Sequence, residues 1–169
     1  MNHIQKKVWI LYTNASLAST YSLTVLTTLS EERPVIATLR KDSNTQWDFL
    51  LFLTYCIYQE YLCEGDYLIM DNATIHVGED LFEVIELLIK AVGVKLVFLP
   101  TYSPELNAAE YVFQVTKTYI RNNRTRNDNL WLDIALGIAT ITRESMLQFY
   151  VKALTGCETI HLISITEVS

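Results

Sequence analysis

Tyr67-Leu-Ile-Met70-Asp71 and, further on, Val94-Lys-Leu-Val-Phe-Leu99-Pro-Thr-Tyr-Ser-Pro-Glu-Leu-Asn-Ala-Ala-Glu110 are the stretches on which the reading of this chain turns. Gly65 and Asp66 break the chain before the first apolar run, Tyr67–Met70, which reads as a short strand. Val94–Leu99 is almost wholly apolar, the signature of a strand covered on both sides. Between them, Glu79 to Val92 places Leu81, Ile85, Leu88, Ile89 and Val92 on one helical face, and Gly93 stops that helix. After the second strand, a loop with Pro100 and Pro104 leads into a third helix from Asn107.

Upstream, Lys7–Thr13, Thr20–Leu29 and Arg33–Leu39 read as strands, the last two forming a hairpin around Ser30-Glu31-Glu32. Ser43 with Gln46 has the form of a capping box, which predicts a helix to about Leu62 with Trp47, Leu50, Leu51, Leu53 and Ile57 inside. Residues 127 to about 157 are helical in character, with Trp131, Ile134, Ile138 and Ile141 at helical spacing. A meander of strands followed by helix, strand, helix, strand, helix describes an α/β protein: a mixed sheet, part antiparallel and part parallel, flanked by helices.

The 169 residues fit one domain, 1–169, and a 50% apolar composition supplies a core, which excludes intrinsic disorder. The longest greasy stretch, Phe49 to Tyr58, is broken by Thr54, so no membrane span is expected. The first residues carry two lysines but no sustained apolar run, so they do not form a secretory signal. Thirteen basic against nineteen acidic residues give a net charge of −6, which argues against a dedicated nucleic-acid binder but not against a local basic patch. Cys56 and Cys63, seven apart on the expected helix, are roughly 10 Å apart along its axis, too far for a disulfide. Cys157-x-x-x-His161 is half of a zinc motif without its second half. Reduced structural cysteines are the simpler reading.

Asp71 follows the first strand directly, and Glu110 lies in the helix entered from the second. In sheets of this kind sites collect at the carboxyl ends of strands. Two carboxylates brought together there repel unless a cation sits between them, and hard oxygen ligands suit Mg²⁺ or Mn²⁺, the ions of in-line phosphoryl displacement. The plain structural alternatives are an ordinary turn at Asp71-Asn72 and a capping arrangement in Asn107-x-x-Glu110.

The wording of both segments adds to this. Asp71-Asn-Ala-Thr-Ile-His76, followed by Leu99 to Glu110, resembles the second and third acidic motifs of the DDE transposase superfamily, mariner-like branch. That family shows an Asp-Asn-Ala-(Ser/Thr)-x-His segment and then LPPYSPxLNPxE. The run Tyr21–Leu53, with its hairpin and then Ser43-x-Thr45-x-x-Asp48, is similar too, so the resemblance covers about Thr20 to Arg126. It implies a ribonuclease-H-like fold, Asp71 and Glu110 as catalytic metal ligands for Mg²⁺ or Mn²⁺, DNA as substrate, and a homodimer. It implies no small-molecule cofactor and no membrane, with a nuclear location in a eukaryote and a cytoplasmic one otherwise. Asn72 and His76 are auxiliary candidates, although a histidine near a loop–helix junction is more often structural. Thr101, Ala108 and Phe113 depart from the usual proline, proline and tryptophan.

One departure is larger. The family's first catalytic aspartate lies on the first strand, and residues 1–30 contain no Asp or Glu. Either the chain begins after the segment that carries it, the preferred account, or Asn14 stands in its place.

The third helix offers an inference independent of family. Glu110, Gln114, Lys117, Arg121 and Arg124 fall on one stripe at 100° per residue. With Arg126, the cations of this stripe could hold a phosphate backbone leading to the acids. The alternative is the solvated face of an amphipathic helix. The expectation is therefore a DDE-type transposase or endonuclease domain, catalytically incomplete. The rival is a non-catalytic domesticated domain that binds DNA or protein. An unrelated Mg²⁺-dependent phosphatase is a distant third, because no nucleophilic-aspartate motif supports it.

Overall fold

The computed structural model describes residues 8–18, 21–42, 44–71, 79–100, 103–123 and 129–156. Five strands form one sheet: β1 (Val8–Ala18), β2 (Tyr21–Thr27), β3 (Val35–Lys41), β4 (Tyr67–Met70) and β5 (Lys95–Phe98). Their order is β3-β2-β1-β4-β5. β1, β2 and β3 are antiparallel neighbours, whereas β4 runs parallel to β1 and β5 parallel to β4. The helices are α1 (Gln46–Tyr58), α2 (Glu79–Ala91), α3 (Ala108–Asn123), α4 (Leu130–Ala139) and α5 (Arg143–Thr155).

Alternation along the strands builds two cores, one per face. Leu26, Ile36, Leu68 and Met70 point to a cluster with Phe52, Leu53 and Cys56 of α1 and Ile85 and Ile89 of α2. Leu23, Val25 and Ile69 point the other way, to Val112 and Phe113 of α3 and Met146 and Tyr150 of α5. The buried Tyr150 hydroxyl donates to the Thr27 carbonyl at 3.0 Å, which ties α5 to the middle of the sheet. Gly137 lets α4 approach α3: a Cβ there would sit 3.3 Å from both Thr116 and Tyr119.

Three expectations need correction. The α1 cap is Thr45 with Asp48, a capping box in which each side chain accepts from the other residue's backbone N–H, so the helix starts later than a Ser43 cap would set it. That phase turns Phe49, Phe52, Leu53 and Cys56 inward and leaves Trp47 and Leu51 62% and 65% exposed. β5 is not covered on both sides; it is the edge of the sheet, with Val97 and Phe98 exposed, and only Val94 before it is buried. The C-terminal stretch is helical as expected and divides into α4 and α5, because the Thr142 side chain accepts from the Ser145 N–H and caps α5 afresh. Trp131 on α4 is exposed while Ile134 is buried.

Cys56 and Cys63 form no disulfide with each other, as expected, and the Cys63 thiol donates to the Glu60 carbonyl at 3.2 Å. Burial pushes the Cys56 thiol up to about 12, so it behaves as a small apolar side chain. Cys157 lies outside the described residues. No helix among the described residues is long and apolar enough to cross a membrane.

Candidate active site

The β4 strand alternates. Leu68 and Met70 are buried against α1 and α2, and Ile69 packs into the opposite cluster under α3. A period of two then places Asp71, the next residue, on Ile69's side of the sheet, the side that α3 covers. Asp71 is half-buried at the carboxyl end of the strand. Asn72 and His76 lie outside the described residues.

β5 is tied to the same end: the Leu99 N–H donates to the Met70 carbonyl at 2.8 Å. A single 3-10 turn, Pro104–Leu106, then swings the chain back to start α3. Asn107 is fully buried there, and its Oδ1 accepts from the Ala109 N–H at 3.0 Å, capping the helix. Ala108 and Ala109 are buried without remainder, so small side chains seat the start of α3 against the core. Glu110 sits in the first turn, half-buried.

The capping alternative for Glu110 can be tested here. A full capping box needs Glu110 to accept from the Asn107 N–H. That N–H already donates to the Pro104 carbonyl at 3.0 Å, so the local turn satisfies it without the glutamate. Asn107 Nδ2 is the one buried side-chain polar atom without a partner among the described residues, a donor left over at the root of the site.

Further along α3 the stripe is as the sequence reads. Val112, Phe113 and Thr116 are buried, whereas Gln114, Lys117 and Arg121 are exposed. The cations thus start two turns beyond Glu110, near its side of the helix. Arg124 and Arg126 lie outside the described residues.

The strand beside β4 is this chain's own Val8–Ala18. Leu11 pairs with Met70 in the parallel register, so one step further sets Tyr12 level with Asp71. Asn14 lies two residues beyond that, where the pairing of β1 with β2 shifts register between Tyr12 and Ala15. Sequence reasoning missed Tyr12. Counting back from the ends of two parallel apolar runs, Trp9-Ile-Leu11 and Leu68-Ile-Met70, would have found it.

This donor set answers what the site could hold. Among the described residues no three His, Cys, Asp or Glu side chains converge. Asp71 and Glu110 are hard oxygen donors, which suit a hard cation that keeps several waters.

A mixed sheet in the order 3-2-1-4-5, helices on both faces, and acids after β4 and at the start of the helix after β5 define a ribonuclease-H-like α/β core. The chain belongs to the DDE superfamily endonuclease family, whose model matches residues 11–130. A search of curated proteins found no match. Among solved structures, a chain of the simian T-cell lymphotropic virus intasome in complex with PP2A regulatory subunit B56 gamma is similar at 17% identity and a TM-score of 0.59. The match covers 99% of this chain but only 61% of that one. The catalytic core domain of BIV integrase is similar at 15% identity and a TM-score of 0.55, over 79% of this chain and 81% of that one. The catalytic domain of Mos1 transposase, in a structure with Raltegravir and Mn, is similar at 13% identity and a TM-score of 0.53, over 86% of this chain and 82% of that one. At these identities the likeness is one of fold.

Proposed function

We infer that this domain is a mariner-like DDE transposase core that engages DNA along α3 but has lost efficient strand cleavage. What supports the reading is that Asp71 follows β4 on the side toward which Ile69 packs, that Glu110 lies in the first turn of the helix over that side, and that Lys117 and Arg121 continue along it. Asp71 and Glu110 would hold one Mg²⁺ or Mn²⁺. Bound there, the ion would supply charge neutralisation to a phosphate oxygen. The side chains' own task is to fix that ion at the carboxyl end of β4, while Lys117 and Arg121, with Arg124 and Arg126 beyond, bind and orient the backbone.

The first ligand's place is taken by an uncharged residue. The central position of β1 in the sheet, with Tyr12 level with Asp71, supports replacement over a strand lying upstream of Met1. The DNA substrate, the divalent ion and a nuclear location in a eukaryotic host belong to the same proposal.

A second reading, a domain retained for contact with protein, is favoured by a different surface. Trp47, Leu51, Tyr55 and Tyr58 form an exposed apolar stripe on α1, at the spacing of one helical face. A second copy of the chain or another protein would cover it.

The test is fluorescence anisotropy on a short duplex at low and moderate salt. Binding should be weak and steeply salt-dependent, and Lys117→Glu with Arg121→Glu should abolish it while the melting temperature holds. Unchanged binding in the double variant would move the contact surface elsewhere. No binding at low salt would favour the protein-contact reading.

A further inference from the structure

Two cavities open along one side of α3. The first, about 360 Å³, is lined by Tyr111, Gln114 and Val115 of α3 and by Gln148, Phe149 and Lys152 of α5. The second, about 440 Å³, starts from the same Gln114 and Val115 and continues past Thr118, Tyr119 and Asn122 to Thr140. They adjoin at Gln114 and Val115 and follow one another along α3, a trough in two sections. From residue 111 to residue 123 it runs about 18 Å at 1.5 Å per residue.

Its chemistry sets it apart from the rest of the chain. The protein carries a net charge of −6, yet among the described residues the lining of both cavities contains no carboxylate. Carboxamides, hydroxyls and aromatic rings line it, with one ammonium. A carboxamide both donates and accepts, so Gln114 and Gln148 can meet the polar edge of any base. At the end nearest Glu110, Tyr111 and Phe149 stack with centroids 5.6 Å apart and planes 24° from parallel. Lys152 Nζ lies 5.2 Å from the Tyr111 ring centre, so this platform is braced between two helices.

The trough also has a fixed relation to the cations. With Glu110 as origin, Lys117 and Arg121 lie within about 20° of it around the helix, and Tyr111, Thr118 and Asn122 lie about 80–120° away. Cation row and trough therefore run side by side, on the order of 8–9 Å apart across a helix of ordinary diameter. A nucleotide has the same layout, an anion on one side and a flat amphipathic ring on the other. Bases inside a duplex are stacked on one another and cannot turn into such a trough; unpaired ones can.

We propose that this trough is a subsite for unpaired nucleotides. A single-stranded segment lies along α3 with its phosphates on Lys117 and Arg121 and its bases turned toward α5, the first of them against the Tyr111–Phe149 pair beside Glu110. The proposal rests on the DNA reading above and adds strand state to it. Stacking on an aromatic ring is worth roughly 5- to 150-fold in affinity per base, so single strands should bind more tightly than duplexes of equal length.

The experiment compares a labelled 12-nucleotide single strand with the corresponding 12-base-pair duplex by anisotropy at low salt. It uses the wild-type chain, Tyr111→Leu with Phe149→Leu, and Lys117→Glu with Arg121→Glu. Leucines keep the apolar packing but remove the π-faces. The expected result is tighter wild-type binding of the single strand, a loss of about tenfold for that strand in the leucine variant, and unchanged duplex binding. A 2-aminopurine in the strand should be quenched by the wild type and not by the leucine variant. Should the leucine variant melt early, Gln114→Ala with Gln148→Ala at exposed positions serves instead, with a smaller loss in the same direction. Equal affinity for strand and duplex, or single-strand binding indifferent to both trough variants, overturns the subsite and leaves the DNA reading standing. Absence of binding to either probe overturns both.

Discussion

The carboxyl end of β4 and the middle of β1 lie side by side in one parallel pair, and they have kept different things. β4 presents Asp71 on the face covered by α3, and Glu110 opens the helix on that face. β1 has Tyr12 at the register position level with Asp71, in a segment with no acid through residue 30. Both strands nevertheless take their places in the sheet. The difference teaches that pairing and apolar alternation hold this fold, and that the carboxylates are carried by it without building it.

The comparison predicts a steep contrast in stability. Phe113→Ala, which empties a buried site between α3 and the sheet, should cost about 3–5 kcal/mol, read from denaturant midpoints. Asp71→Ala should leave the midpoint within about 0.5 kcal/mol, since Asp71 is half-buried beyond the end of the strand and outside both apolar clusters. A loss for Asp71→Ala comparable to that of Phe113→Ala would make the acid a structural element and end its reading as a ligand.

Caps should fall between these limits. Thr142→Ala removes the acceptor for the Ser145 N–H and should cost about 1 kcal/mol, because this cap separates α5 from α4. A neutral result would mean that packing alone sets the break.

That break is one place where the sequence was hard to read. Trp131, Ile134, Ile138 and Ile141 keep helical spacing straight across it, so periodicity alone cannot see it, whereas a threonine followed by Arg-Glu-Ser could have marked it. The two strands around Asp71 and the hairpin were legible because apolar runs and turn residues bound them closely. The α1 phase was missed because every residue from Phe49 to Leu53 is apolar, which leaves the cap to decide the inner face, and Thr45 rather than Ser43 supplies it. β5 was read as covered because its composition is apolar, but edge position is a property of strand order. For the candidate site, spacing and motif single out Asp71 and Glu110 in the sequence. Tyr12 and the trough of Tyr111, Gln114, Gln148 and Lys152 were not, because a register and a helix–helix crossing bring them into place.

The smallest expected effect concerns the buried thiol. Burial raises the Cys56 value from 9.0 to about 12, so its contribution to stability is complete below pH 9 and is lost as pH rises toward 12, where the unfolded chain ionises first. Melting temperatures between pH 8 and 11 should therefore fall more steeply in the wild type than in Cys56→Ala. Parallel curves would show that other groups govern alkaline unfolding.

The central claim is that two carboxylates remain on the α3 face and that the first-strand position no longer supplies the third. Nicking of supercoiled plasmid with Mg²⁺ and with Mn²⁺ tests it most directly, using the wild type, Asp71→Ala, Glu110→Ala and Tyr12→Asp. The account predicts that the wild type nicks no faster than either alanine variant, and that Tyr12→Asp gains nicking which Glu110→Ala removes when combined with it. Robust wild-type nicking abolished by both alanine substitutions would contradict it and show that another residue completes the site.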